Sequence, residues 1–191
     1  IFNVLTGLLQ TPAGFLVDRL SARAVLIGGL LLGALSLVAA ALVSSFYLFV
    51  FMFALLGVAN ATYHPADYAL LSGRVSAPRM SQAYSIHIFA GFAGTAAAPV
   101  TLLVLAESFG WRGAFLASAV LGLVVAAAVL LFGEVMAGHD PTRIREKETG
   151  EKSADSRILM SAPILLSMFF YVLLAMTGGL QIYAIVALEA L

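Results

Sequence analysis

Apolar residues run along this chain in long blocks, interrupted at intervals by short groups of polar and charged residues. A helix needs about 20 mostly apolar residues to cross ~30 Å of hydrocarbon at 1.5 Å per residue. Six blocks reach or approach that length, at residues 1–17, 24–43, 46–72, 82–106, 113–132 and 159–188. Apolar positions surround most of each block instead of alternating, which excludes barrel strands, and helices and closed barrels are the backbones that lipid tolerates. The pattern predicts an all-α integral membrane protein with six transmembrane helices.

Composition sharpens that picture. Of 191 residues, 62% are hydrophobic and 10% charged, whereas a soluble domain is about 45–50% apolar and about 25% charged. A water-soluble globule is excluded, and the lipid bilayer is the expected surroundings. Basic and acidic residues number ten each, so no net field draws nucleic acid. There is no cysteine, which removes disulfides and thiolate chemistry. The chain opens at Ile1 in apolar sequence without a basic n-region or a small-residue cleavage site, and reads as part of a longer chain.

The loops assign the sides, because short loops rich in Lys and Arg stay in the cytoplasm. Arg19 and Arg23 follow the first block, Arg74 and Arg79 the third, and Arg143, Arg145, Lys147, Lys152 and Arg157 the fifth. Nine of the ten basic residues thus fall in alternate loops, and Arg112 alone lies on the other side. Loops 18–23, 73–81 and 133–158 are expected in the cytoplasm, in a cell membrane that for a bacterium is the inner one. The last of these mixes both signs of charge with Pro141 and Gly150 and reads as a linker between two helix bundles. A short surface helix within it is the other reading.

The first inside loop, Gly14-Phe15-Leu16-Val17-Asp18-Arg19-Leu20-Ser21-Ala22-Arg23, resembles the loop between the second and third helices of the major facilitator superfamily. Ser21 and Ala22 depart from that pattern, standing where the family has a Gly and a base. Phe109-Gly110-Trp111-Arg112-Gly113 is similar to the turn between the family's fifth and sixth helices. The resemblance implies helices two to seven of a twelve-helix transporter. Residues 1–132 then hold most of the N-terminal bundle without its first helix, 133–158 the linker, and 159–191 the first helix of the C-terminal bundle. It also implies that Gly14, Asp18, Arg19 and Arg23 form a cytoplasmic gate. Independently of the family, Gly14 permits close helix approach and Ser21 is a natural cap for the next helix. The segment Tyr63-His64-Pro65 is similar to a Tyr- or Phe-His-Pro in bacterial members, including fosmidomycin-resistance-like exporters. Neither the fourth-helix Arg nor the fifth-helix Gly-Pro of drug/proton antiporters is present in its usual place.

An ionisable group inside a span costs about 2.5–3.5 kcal/mol on insertion scales, so each one needs a partner, water or a function. Asn60, His64 and Asp67 fall at i, i+4 and i+7, one face of a helix. Pro65 should bend that helix or free the Ala61 carbonyl. Histidine titrates nearest physiological pH, so His64 and Asp67 are candidates for proton coupling. An ion pair between Asp67 and Arg74 at the inner gate is the alternative reading of the same spacing. His87 heads a series with Gly91, Gly94 and Ala98 that reads as a packing seam, with His87 a structural histidine near the inner interface. Pro99 adds a second helix bend. Gln10 and Gln181 join Asn60 and His64 as candidate pathway residues, and Gly29 and Gly33 form a small-xxx-small packing pair.

No phosphate-binding loop, zinc-protease motif or serine-hydrolase elbow is present, and His64 with Asp67 alone makes a poor metal site. The chain is therefore read as no enzyme, with neither cofactor nor metal. The expected function is secondary active transport of a small organic solute by alternating access, coupled to an ion, most readily a proton, with export favoured over import. A cation-coupled importer and a non-transporting receptor or scaffold on the same fold are the alternatives.

Overall fold

A computed structural model describes the backbone of residues 1–136 and the side chains of residues 1–132. The first four residues of the expected linker, 133–136, continue the helix α5, while residues 137–158, the last block and Gln181 lie outside the described residues. Within them every regular element is helical: α1 (Phe2–Arg19), α2 (Ala22–Leu42), α3 (Phe46–Ala61), α4 (Tyr63–Ser72), a single 3₁₀ turn (Ala77–Arg79) and α5 (Met80–Met136).

Local chemistry sets these boundaries. Ser21 is the N-cap of α2, its hydroxyl accepting the Ala24 N–H at 3.2 Å, which satisfies one of the donors that a helix start leaves unpaired. Ser21→Ala is expected to lower thermal stability by about 1 kcal/mol, read as a shift of the melting transition in detergent. The opposite end of α2 is held by Arg112, whose Nε donates to the Ala41 carbonyl at 2.9 Å while its guanidinium lies 4.3 Å from the centre of the Trp111 ring. A cation at a helix C-terminus opposes the negative end of the dipole.

Two expected boundaries differ. The block at 46–72 is two helices separated at Thr62. The expected loop between the fourth and fifth blocks shrinks to one residue, Gly110, whose φ of 71° and ψ of 167° are the non-helical values within α5. A positive φ is open to glycine without strain, so one residue suffices to reverse the chain. The backbone stays helical through Pro99.

The helices pack in sequence-distant pairs. α1 runs parallel to α3, with Thr6 against Gly57 and Asn60. α2 runs antiparallel to α3 and α4, with Gly29 beside Thr62 and Gly33 beside Ala59. After Gly110, α5 descends antiparallel to α2, joining Arg112 to Ala41 at one end and Arg23 to Leu130 at the other. The loops at 18–23 and 73–81 consequently share one end of the bundle.

Ten of the fourteen buried apolar residues among those described are alanines. Small residues bring backbones close where lipid supplies no hydrophobic drive between helices. Large side chains such as Leu8, Phe46, Phe89, Phe92 and Leu131 point outward, the arrangement of a bundle immersed in lipid. Residues 88–104 of α5 are exposed throughout, and a Cβ on Gly91 or Gly94 would meet nothing within 4 Å. The packing seam expected there thus faces open space among the described residues.

Candidate functional site

Pro65 has no N–H to offer the Ala61 carbonyl, so a continuous helix cannot pass through this point without losing a hydrogen bond. The backbone stops at Ala61, and Thr62 turns both its N–H (3.1 Å) and its hydroxyl (2.8 Å) to the Ala59 carbonyl. α4 then starts at Tyr63 with Pro65 in its first turn, where a missing donor is harmless. Tyr63 donates its hydroxyl to the Gly29 carbonyl at 3.3 Å, tying the new helix to α2.

Thr62 keeps right-handed helical dihedrals, and Asn60, His64 and Asp67 take different partners. Asn60 Nδ2 donates to Thr6 Oγ1 at 3.4 Å, and Thr6 Oγ1 donates to the Gly57 carbonyl at 3.1 Å. Asn60 therefore serves as a tie between α3 and α1. His64 and Asp67, one turn apart on α4, turn instead toward the start of α5.

There they meet His87. Its Nε2 lies 3.8 Å from Asp67 Oδ2, and one ligand atom from each of His64, Asp67 and His87 falls within 4.8 Å of the others. His64 is exposed, whereas Asp67 and His87 are half-buried. Tyr68 backs the group: its ring centre is 5.9 Å from that of His64 in a nearly parallel arrangement, and 5.7 Å from His87 and 5.2 Å from Tyr84 edge-on. Beneath it, Val17, Val25, Leu26, Ala66 and Val129 form an apolar layer joining α1, α2, α4 and α5.

Spacing along α4 does not point to His87 as a partner of this pair, although the chain carries a signal for it. A short connection makes α4 and the start of α5 antiparallel neighbours. Asp67 lies five residues before Ser72 and His87 seven after Met80, depths of about 8 and 11 Å at 1.5 Å per residue. Two helices tied at one end bring such positions level.

The other singled-out residues are dispersed. Asp18 and Arg19 are exposed at the end of α1. Arg23 is half-buried and donates from Nη2 to the Leu130 carbonyl at 2.6 Å. At Gly14, expected at a close helix contact, a Cβ would meet nothing within 4 Å among the described residues; the close approaches to other helices occur at Gly29, Gly33 and Gly57. Gln10 is half-buried on α1.

By length and composition, three helical stretches among the described residues suffice to cross a membrane: Ala22–Leu42, Phe46–Ser72 and Ala77–Phe132. The last holds 56 residues, about 84 Å of helix, enough for two crossings joined at Gly110. The triad lies within these stretches, where titratable groups are costly unless they have work or partners. Two imidazoles and a carboxylate in mutual reach can accept, hold and pass a proton.

Comparison with known proteins agrees with this architecture. Residues 1–189 match the profile of the Major Facilitator Superfamily. A stretch of 126 residues, 66% of this chain, is 26% identical to a probable L-galactonate transporter of Escherichia coli (strain K12) and spans 28% of that relative's length. No solved structure matches.

Proposed function

Because the chain belongs to the Major Facilitator Superfamily, we propose that its full-length protein is a proton-coupled secondary transporter that exports a small organic solute. The convergence of His64, Asp67 and His87 from two helices inside membrane-spanning stretches carries this reading. An imidazole–carboxylate pair changes charge by taking up or releasing one proton, and that change can bias two arrangements of a bundle. In alternating access, two bundles rock about a mid-membrane site so that it opens to each side in turn.

In this account, Asp67 and His87 carry the coupling proton, and exposed His64 exchanges it with the pathway. Gln10 touches solute, while Asn60 holds α1 to α3 at the pathway's edge. The arginines of loops 18–23 and 73–81 support a cytoplasmic position for that end of the bundle, in a bacterial inner membrane. Asp18, Arg19 and Arg23 form the inner latch. Asp18→Asn is expected to slow cycling more than it weakens solute binding, and unchanged turnover with weakened affinity would contradict that role.

A second reading is cation-coupled import, and in either direction the similarity to a probable L-galactonate transporter favours a hydroxy acid as solute. Both readings are tested with the full-length protein in proteoliposomes. Labelled L-galactonate and a panel of small organic solutes are supplied on either side under an imposed proton gradient. Gradient-driven accumulation of one solute supports transport, and its direction separates export from import. Absence of flux for every solute would favour a receptor or scaffold.

A further inference from the structure

We propose that His64, Asp67 and His87 form a binding site for one divalent transition-metal ion of the Zn²⁺ class. The pair His64 and Asp67 supplies two donors from adjacent turns of α4, and His87 supplies the third from α5. Three donors from two elements distinguish this group from a chance pair on one helix.

The donor set selects the ion. Two imidazole nitrogens and one carboxylate suit Zn²⁺ and its first-row neighbours, whereas Mg²⁺ and Ca²⁺ require oxygen ligands throughout. Tetrahedral Zn²⁺ with bonds of about 2.0–2.1 Å holds its ligand atoms about 3.3 Å apart. The three ligand atoms already lie within 4.8 Å of one another, with His87 Nε2 and Asp67 Oδ2 at 3.8 Å. Closing the remaining gap requires a side-chain movement of about 1.5 Å or less, and His64 is exposed, with one face of its ring against Tyr68. Three protein ligands leave the fourth position to water or to an oxygen of a passing solute, as in open zinc sites.

Location adds a consequence. The ion bridges α4 and the first turns of α5, two helices that meet through Tyr68, Tyr84 and His87. A bound metal therefore staples them, and it competes with protons because imidazole must be neutral to coordinate. Metal binding is read at equilibrium in the absence of solute, so it fails or succeeds separately from the transport reading.

The test uses the full-length protein in nanodiscs, freed of its affinity tag and of metal, titrated with Co²⁺ and then Zn²⁺. Expected is one Co²⁺ per chain that gives the visible absorption of a tetrahedral site and is displaced by Zn²⁺, with weaker binding at lower pH. His64→Gln and His87→Gln should each weaken that site at least about tenfold, and His64→Cys, which keeps a ligand, should retain it. His64 is exposed, so its variants preserve the fold, verified by unchanged elution and melting. No Co²⁺ bound by the wild type, or binding of equal strength in wild type and both Gln variants, would overturn the proposal.

Discussion

Asp67→Asn is expected to reduce gradient-driven net flux of solute to background while leaving solute-for-solute exchange in place. Asparagine keeps the size of aspartate and most of its hydrogen bonds but cannot take up a proton, so the carrier should cycle loaded and fail to cycle with the proton. The substitution removes the charge that Asp67 Oδ2 sets 3.8 Å from His87 Nε2, and it leaves Tyr68 and the apolar layer below untouched. Net uptake and counterflow of the same labelled solute, measured on one preparation, separate the two cases. Net flux at wild-type rate would remove Asp67 from coupling and leave it as part of a structural pair at the inner end of α4.

The second large effect concerns packing. Gly29→Leu is expected to destabilise the bundle by about 3 kcal/mol or more, because overpacking a tight contact forces side chains and backbone apart. Already the Cβ of that residue would run into the Thr62 hydroxyl, and it would lie 3.1 Å from the Tyr63 ring and 3.2 Å from the Ala59 carbonyl. Thr62 cannot yield freely, since its hydroxyl donates to Ala59 at the break between α3 and α4. The adjacent Gly28 is the control: it is exposed and has nothing within 4 Å. Gly28→Leu removes a glycine from a helix interior and should be neutral or stabilising. Monodisperse yield and melting temperature of the two variants check the pair, and equal destabilisation in both would show that the α2 contact at Gly29 is not close.

These effects show which features are readable from residue order. The spans are legible because lipid imposes one rule, that backbone polar groups be satisfied within the segment, and long apolar blocks obey it visibly. Gly29 and Gly33 can be assigned to packing, as small residues four apart announce a close helix face. The Thr62 break is half visible: Pro65 marks it, yet the point at which the backbone gives way depends on Thr62 capping Ala59. Periodicity does not reveal that Asn60 bonds Thr6 on another helix. His87 escapes it because its partners are on another helix, and spacing along one helix carries no information about a second. Gly14 illustrates the converse, a glycine whose expected close contact does not occur among the described residues.

The family and the all-helical membrane architecture stand on the profile match and the fold together. The step from there to mechanism rests on charge movement at His64, Asp67 and His87. Internal pH in proteoliposomes containing the full-length wild-type protein, followed by a trapped dye while a transported solute is added without an imposed proton gradient, tests it most directly. Proton coupling predicts that solute alone shifts internal pH, and that the shift disappears in Asp67→Asn. Solute transport with no change of internal pH would contradict it.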